Sequence, residues 1–352
     1  MGSEAAPPDE ARPDGPEKGR GVGGFLPYVL AAVMAVVLVV VTVSRGGPSD
    51  AAKDTLGGKQ LKIMAPADPG GGWDSTARAM QAALEDIVGR SEVYNVTGAG
   101  GTIGLSQFVN YEGQSNQLMV MGLVMVGAIA ANEPEVTLED VTPIAELVNE
   151  EQLIVVPKGS PLKDVGDLEA AMRKDIDKVA WAGGSAGGAE QILAGLIAKD
   201  LGEKPSDVNY IAHSGGGEAI ATLLSRKDTV GVSSVSEFRP QIEAGKLRPI
   251  AVASADRIDQ MKDTPTLKES GIGVEVTNWR GVVAPPGITA EQRAGLEDII
   301  VRMTRSKSWK ETLQREGWKS VVLVGDEFDE FLNAEIERVT GVVDDLGIGK
   351  VE

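Results

Sequence analysis

The sequence predicts an α/β fold, because strand-like segments repeatedly lead through glycine-rich loops into helix-like segments. The first such unit runs from the apolar segment 61–65 through glycines 70–72 into residues 75–87, where apolar side chains recur at helical spacing. Three similar units follow, with glycine loops at 97–104, 183–188 and 213–217. A chain of 352 residues is long enough for two lobes, since domains usually hold about 100–200 residues. We expect a largely parallel sheet in each lobe.

The N-terminal region has a different composition from the rest of the chain. Residues 1–22 are rich in Pro, Gly, Glu and Asp, which predicts a disordered cytoplasmic tail. Residues 23–44 carry no charged side chain and match the roughly 20 residues that span a bilayer. This length, with no small-residue cleavage site after it, favours an uncleaved transmembrane anchor over a cleaved signal peptide. Lys18 and Arg20 precede the segment, so the part beyond a linker at 45–58 is expected outside the cytoplasm.

Each glycine loop offers the chemistry of an anion site. Glycines let a ligand approach the main chain, and the first turn of the following helix supplies N–H groups without partners and the positive end of the helix dipole. A carboxylate is the simplest ligand for such a site. One exposed interaction of this kind contributes only about 0.3–1 kcal/mol, so several loops must converge on one ligand.

Composition and motifs argue against several other functions. A formal net charge of −18 argues against nucleic acid, which needs a basic surface. The chain has no cysteine and one histidine, so no metal site is expected. The spacing of Gly98, Gly100 and Gly104 misses the dinucleotide fingerprint by one residue, so no nucleotide cofactor is expected.

A serine hydrolase is the enzyme alternative. Residues 183–187 match the G-x-S-x-G nucleophile elbow, with Ser185 between a strand and a helix. The only histidine, His213, follows after 28 residues, which leaves little room for the acid of a triad. We therefore do not predict an enzyme.

Four residues beside the loops have two interpretations each. Trp73 and Trp181 either pack in the core or line a pocket. His213 is either a loop residue or a ligand contact. Asp74 either serves the start of its helix, where carboxylates are favoured, or accepts a hydrogen bond from a ligand.

Four motifs in order resemble the Bug-type solute receptors of tripartite tricarboxylate transporters. They are APADPGGGWD at 65–74, NVTGAGGTIG at 95–104, GGSAGG at 183–188 and IEAGKLRPIAVA at 242–253. The resemblance covers about residues 58–350. It implies a two-lobed type II periplasmic-binding-protein fold, in which the chain crosses twice between the lobes and a ligand is clamped between them.

The resemblance implies these boundaries and contacts. Lobe one comprises 59–152 and 285–352, lobe two comprises 158–277, and the crossing strands are 153–157 and 278–284. The ligand, a di- or tricarboxylate or related acid, is held by main-chain N–H groups and water. Its expected contacts are Gly71, Gly72, Trp73, Asp74, Gly100 and Gly101 from lobe one, and Ser185, Ala186, Gly187 and Ser214 from lobe two.

The sequence departs from the family in the third loop. Many relatives carry a histidine near that helix start, whereas this chain has Ala189 and Glu190. The expected function is a membrane-tethered extracytoplasmic receptor that delivers a small carboxylate to transporter subunits in the membrane. A receptor that reports its ligand to a signalling partner is the alternative within the same class.

Overall fold

Strands and helices alternate along the chain, as the glycine-loop units predict. The computed structural model describes residues 50–213, 216–225 and 229–347. The strands of this part are β1 (Lys62–Ala65), β2 (Glu92–Asn95), β3 (Gln117–Gly122), β4 (Thr142–Pro157), β5 (Ala180–Gly183), β6 (Tyr210–Ala212), β7 (Thr229–Ser234), β8 (Leu247–Val252), β9 (Thr277–Ala284) and β10 (Lys319–Val324).

The helices follow the strands closely. They are α1 (Asp50–Thr55), α2 (Gly72–Val88), α3 (Thr102–Phe108), α4 (Leu123–Asn132), α5 (Val165–Lys174), α6 (Ala189–Asp200), α7 (Gly216–Ser225), α8 (Val235–Glu243), α9 (Ala290–Arg305), α10 (Lys307–Glu316) and α11 (Asp326–Leu346). Together with the strands they confirm the predicted α/β class.

One mixed sheet carries these helices. Its order is β2-β1-β3-β9-β4-β7-β5-β6, and β8 and β10 pair with β4 beside this path. The strands are parallel at the two ends, where β1 pairs with β2 and β3, and β5 with β6 and β7. In the centre β4 is antiparallel to β7, β8, β9 and β10. The expected parallel arrangement is thus correct at the ends and wrong in the centre, where β4 is antiparallel to all four of its partners and β9 is also antiparallel to β3.

Strand β4 belongs to both halves of the sheet. It is 16 residues long. Residues 142–151 pair with β9, whereas residues 152–157 pair with β7 and β8. The sequence predicts a strand only from residue 151, because Glu146 and Glu150 interrupt the apolar pattern before it. Both side chains are nevertheless buried.

The folded body begins within the predicted linker at 45–58. Helix α1 lies there, and Ala52 and Leu56 are buried. The Ser115 hydroxyl donates to the Thr55 carbonyl at 2.6 Å. In the part of the chain that the structure describes, no helix combines the length and the apolar character needed to cross a membrane. The segment 23–44, for which the sequence predicts that role, and the tail at 1–22 lie outside the described residues.

A buried ion pair joins the two central strands. Arg280 on β9 binds Glu150 on β4, and their side chains are 4% and 6% exposed. Arg280 Nη1 also donates to the Thr76 hydroxyl on α2 at 3.3 Å, and its guanidinium lies 5.0 Å from the ring centre of Trp318. Glu150 Oε1 accepts from the Ser236 hydroxyl on α8 at 2.9 Å. The pair therefore connects helices from both halves of the sheet.

We predict that Arg280→Gln strongly destabilises the protein. The substitution leaves Glu150 buried without its cation, a loss that costs about 3–5 kcal/mol. The melting temperature of the full chain measures this. Lys307→Gln is the control, because Lys307 and Glu311 form an ion pair at 3.5 Å whose side chains are mostly exposed, and such pairs contribute about 0–1 kcal/mol. Equal melting temperatures for the two variants would contradict the prediction.

Glu146 on β4 is a second buried carboxyl group, only 1% exposed. Its Oε2 has no hydrogen-bond partner among the described residues. Burial, with a smaller contribution from the nearby Glu335, raises the pKa of Glu146 to about 7. The native state therefore keeps this proton at pH values where the unfolded chain, with a pKa of 4.5, has lost it.

We expect the free energy of unfolding to fall as pH rises through this window. Between pH 4.5 and about 7 the native state binds more protons at Glu146 than the unfolded state does, so its contribution to stability decreases with pH. Glu146→Gln removes this contribution. Urea unfolding should show the variant to be more stable than the unsubstituted protein at pH 8, with little difference at pH 4.5. The exposed control Glu337→Gln should follow the unsubstituted protein; if Glu146→Gln did the same, the assignment would fail.

Candidate functional site

The first glycine loop connects β1 to α2 and leaves the helix start uncapped. Gly70 has φ +87°, a left-handed conformation that favours glycine. Gly71 is the N-cap residue and provides no side chain to bond the first turn. The N–H groups of Gly72, Trp73 and Asp74 belong to that first turn, where intrahelical acceptors are missing. The loop thus has the donor arrangement expected of an anion site.

Asp74 fixes the shape of this loop. Its Oδ2 accepts from the Gly70 N–H at 2.8 Å and from Arg78 Nε at 2.9 Å. Its Oδ1 accepts from Asn95 Nδ2 at 2.9 Å. Burial acts to raise the pKa of Asp74, but the hydrogen bonds from Arg78, Gly70 and Asn95 outweigh it and lower the pKa below its usual value. These contacts favour the interpretation of Asp74 as a residue that serves its own helix start.

The Arg280 side chain packs against the backbone of the first loop at Gly72. A Cβ atom added to Gly72 would lie 2.6 Å from Arg280 Nη2, so only glycine leaves room for the guanidinium. The sequence analysis missed this cation because it lies on β9, more than 200 residues from the loop. One signal was available, since Arg280 is the only charged residue in its strand.

The second glycine loop packs against Trp73 and α4. Residues 98–101 all have positive φ. A Cβ on Gly101 would lie 2.7 Å from the Trp73 ring, and a Cβ on Gly100 would lie 2.4 Å from Cβ of Ala128. Trp73 is only 7% exposed. The structure therefore brings Trp73 and the second loop together, with the ring packed in the core.

The third glycine loop approaches the same helix from the other half of the sheet. A Cβ on Gly127 of α4 would lie 1.9 Å from the carbonyl oxygen of Gly187. Gly187 has φ +72°, and its N–H donates to Gln191 Oε1 at 2.9 Å. Ser185 is half-buried and Ala186 is exposed. Helix α4 thus lies between the second and third loops, and both touch it.

His213 has other partners than Ser185. Its Nδ1 donates to the Gly183 carbonyl at 3.1 Å, and its Nε2 lies 2.8 Å from the Thr222 hydroxyl. Both ring nitrogens are therefore engaged away from the serine that a hydrolase would need to activate. Ser214, a predicted ligand contact in the same loop, lies outside the described residues. Elsewhere in the described ranges, no group of three or more His, Asp and Glu side chains is placed to hold a metal ion.

Comparisons with known proteins identify similar chains and folds. The chain is 26% identical to BugT of Bordetella pertussis over 329 residues, which cover 90% of this chain and 98% of BugT. Its fold is similar to that of the periplasmic binding protein BugD, with a TM-score of 0.71, 22% identity, and coverage of 82% of this chain and 98% of BugD. MatC of Rhodopseudomonas palustris, solved with bound malate, gives a TM-score of 0.68 and 24% identity over 81% of this chain and 98% of MatC.

These likenesses show the α/β fold of periplasmic binding proteins. Residues 76–348 match the family described as the tripartite tricarboxylate transporter family receptor. Because this match spans most of the 352 residues, the chain belongs to the tripartite tricarboxylate transporter receptor family, whose members are solute-binding proteins and not enzymes.

Proposed function

We propose that this chain is a membrane-tethered extracytoplasmic receptor that binds a small organic carboxylate between two lobes and delivers it to a tripartite tricarboxylate-type transporter. The observation that carries the proposal is the uncapped start of α2, with the Arg280 guanidinium behind Gly72. The backbone donors of this helix start favour an anion at this point. The malate bound to MatC supports a carboxylate as the solute class.

The proposed ligand contacts are those that the family resemblance implies. Lobe one provides the first and second loops, and lobe two provides the third and fourth. In this assignment Asp74 and Trp73 shape the site, while backbone N–H groups hold the carboxylate. The contacts are Gly71, Gly72, Trp73, Asp74, Gly100, Gly101, Ser185, Ala186, Gly187 and Ser214.

The two lobes are proposed to be 59–152 with 285–352, and 158–277. Strands β4 and β9 then connect them, and the contact between Gly127 and Gly187 crosses from one lobe to the other. An ion pair between Lys199 on α6 and Asp345 on α11 also joins the two proposed lobes. Such contacts are typical of the closed form of a hinged receptor.

The tether is proposed to be the segment 23–44. Its length and lack of charge support a membrane span. An anchored receptor remains beside its transporter after releasing its solute.

The first test is thermal unfolding of the full chain against a panel of carboxylates at millimolar concentration. A ligand at 100 times its dissociation constant adds about 2.7 kcal/mol to the free energy of unfolding. We therefore expect one or a few acids to raise the melting temperature by several degrees. The absence of any shift, in protein freed of co-purified ligand, would refute the receptor assignment.

A second test uses Gly127→Ala to hold the lobes apart. The added methyl group cannot occupy a position 1.9 Å from the Gly187 oxygen, whereas alanine is favoured over glycine within a helix by about 1 kcal/mol. We expect solute affinity to fall at least about tenfold, while the ligand-free protein stays as stable as before. Isothermal titration and urea unfolding measure the two quantities.

Gly341→Ala is the matched control for this substitution. Gly341 also lies within a helix, α11, and a Cβ added there meets nothing within 4 Å. Its affinity for solute should be unchanged. If Gly127→Ala instead destabilised the ligand-free protein, the contact would be permanent and the hinged description would be wrong.

A further inference from the structure

The third glycine loop is already occupied by side chains of its own helix. Helix α6 begins after Gly188, and Glu190 and Gln191 lie in its first turn. Gln191 Oε1 accepts the Gly187 N–H at 2.9 Å. The donors that a ligand carboxylate would need from this loop are therefore partly taken.

The glycines of this loop make room for Glu190. A Cβ added to Gly184 would lie 3.2 Å from Glu190 Oε2, and one added to Gly188 would lie 3.1 Å from the same oxygen. A Cβ on Gly183 would lie 2.6 Å from Cβ of Glu190. The side chain of Glu190 is nine-tenths buried, with 9% of its residue surface exposed. The Glu190 carboxylate therefore lies against the backbone of the third loop.

No cation in the described part of the chain forms an ion pair with Glu190. Its titratable and charged neighbours are Tyr210 on β6, His213 after β6, Glu237 on α8, Glu150 on β4 and Arg280 on β9. Arg280 is already bound to Glu150, and Glu237 accepts a hydrogen bond from Ser233. The surroundings of Glu190 are acidic overall, and they disfavour a further negative charge.

We propose that Glu190 excludes a second carboxylate from the third loop, so that the solute is a monocarboxylate whose far end donates a hydrogen bond to Glu190 through a hydroxyl or an ammonium group. This inference rests on the proposed receptor function and narrows its solute class. Glu190 would then select the solute in two ways: it repels a second carboxylate, and it accepts a hydrogen bond from the preferred solute. Specific binding sites commonly combine repulsion of the wrong ligand with a contact to the right one.

The preference for a monocarboxylate over a dicarboxylate should increase with pH. Burial raises the pKa of Glu190 to about 7, with Glu237 and Glu150 adding to the rise, while its own backbone N–H and Arg280 oppose it. Above this pH the ionised carboxylate repels a second carboxylate on the solute. Below this pH, Glu190 is protonated and repels a second carboxylate less strongly, so the preference for a monocarboxylate becomes smaller.

The experiment compares solutes of equal chain length by isothermal titration of the full chain at pH 8. Succinate, 4-hydroxybutyrate, 4-aminobutyrate and butyrate form one matched series, and adipate, 6-hydroxyhexanoate and 6-aminohexanoate form a longer one. We expect the hydroxy or the amino acid of one series to bind at least about tenfold more tightly than its dicarboxylate. Which of the two is tighter identifies the donor group.

Glu190→Gln keeps the shape of the side chain and removes its charge. In this variant the dicarboxylate should gain at least about tenfold in affinity relative to the amino or hydroxy acid. The control Glu243→Gln removes the same charge from an exposed position on α8 and should leave the ratio unchanged. If Glu190→Gln does not fold, the same ratio measured for the unsubstituted protein at pH 6 and pH 8 provides the test, with a smaller ratio expected at pH 6.

The results that would overturn the proposal fall into two groups that can be told apart. Dicarboxylates that bind as tightly as their matched monocarboxylates at pH 8, or a ratio unaffected by Glu190→Gln and by pH, would refute the role of Glu190 while the receptor function stood. Failure of every acid in both series, and of every acid in the thermal-unfolding panel, to bind would refute the receptor function and this inference together.

Discussion

The ion pair between Arg280 and Glu150 is the interaction on which the centre of this protein depends. It lies where β4 passes from one half of the sheet to the other, and its hydrogen bonds reach Thr76 on one side and Ser236 on the other. A buried pair of this kind adds little net stability compared with apolar packing, but it strongly disfavours arrangements in which either charge loses its partner. It therefore fixes how the two halves meet, and it places a guanidinium behind Gly72.

Glycine serves two different purposes in these loops. At Gly72 the absent side chain lets a cation from a distant strand approach the helix start. At Gly184 and Gly188 it lets an acid from the same helix fold back over the loop. Two loops with similar sequences thus lie against different side chains, an ion-paired guanidinium in one case and a carboxyl group without an ion pair in the other. A glycine-rich segment before a helix indicates that another group lies close to the backbone there. The sequence of the segment does not say whether that group is a cation, an acid or a ligand.

The sequence predicts the local units well because their signals are local. Apolar segments, glycine loops and helical spacing lie within about twenty residues of one another, so the loops and most element boundaries follow from pattern alone. The first half of β4 could not be predicted, since Glu146 and Glu150 resemble surface residues until their burial is known. Arg280 could not be placed either, because its partners Thr76 and Glu150 are 204 and 130 residues away in the chain. Charged residues that pair across such distances in the chain produce no periodic pattern in the sequence.

A strand shared by both halves of a sheet also affects how the molecule unfolds. Strand β4 exchanges backbone hydrogen bonds with β9 over residues 142–151 and with β7 and β8 over residues 152–157. Neither half of the sheet can lose its part of β4 without exposing the end of the other half, so unfolding is cooperative across the whole sheet. The slowest amide hydrogens to exchange with solvent should therefore lie along β4 and form one protected unit, in contrast to a receptor whose lobes are joined by flexible coil.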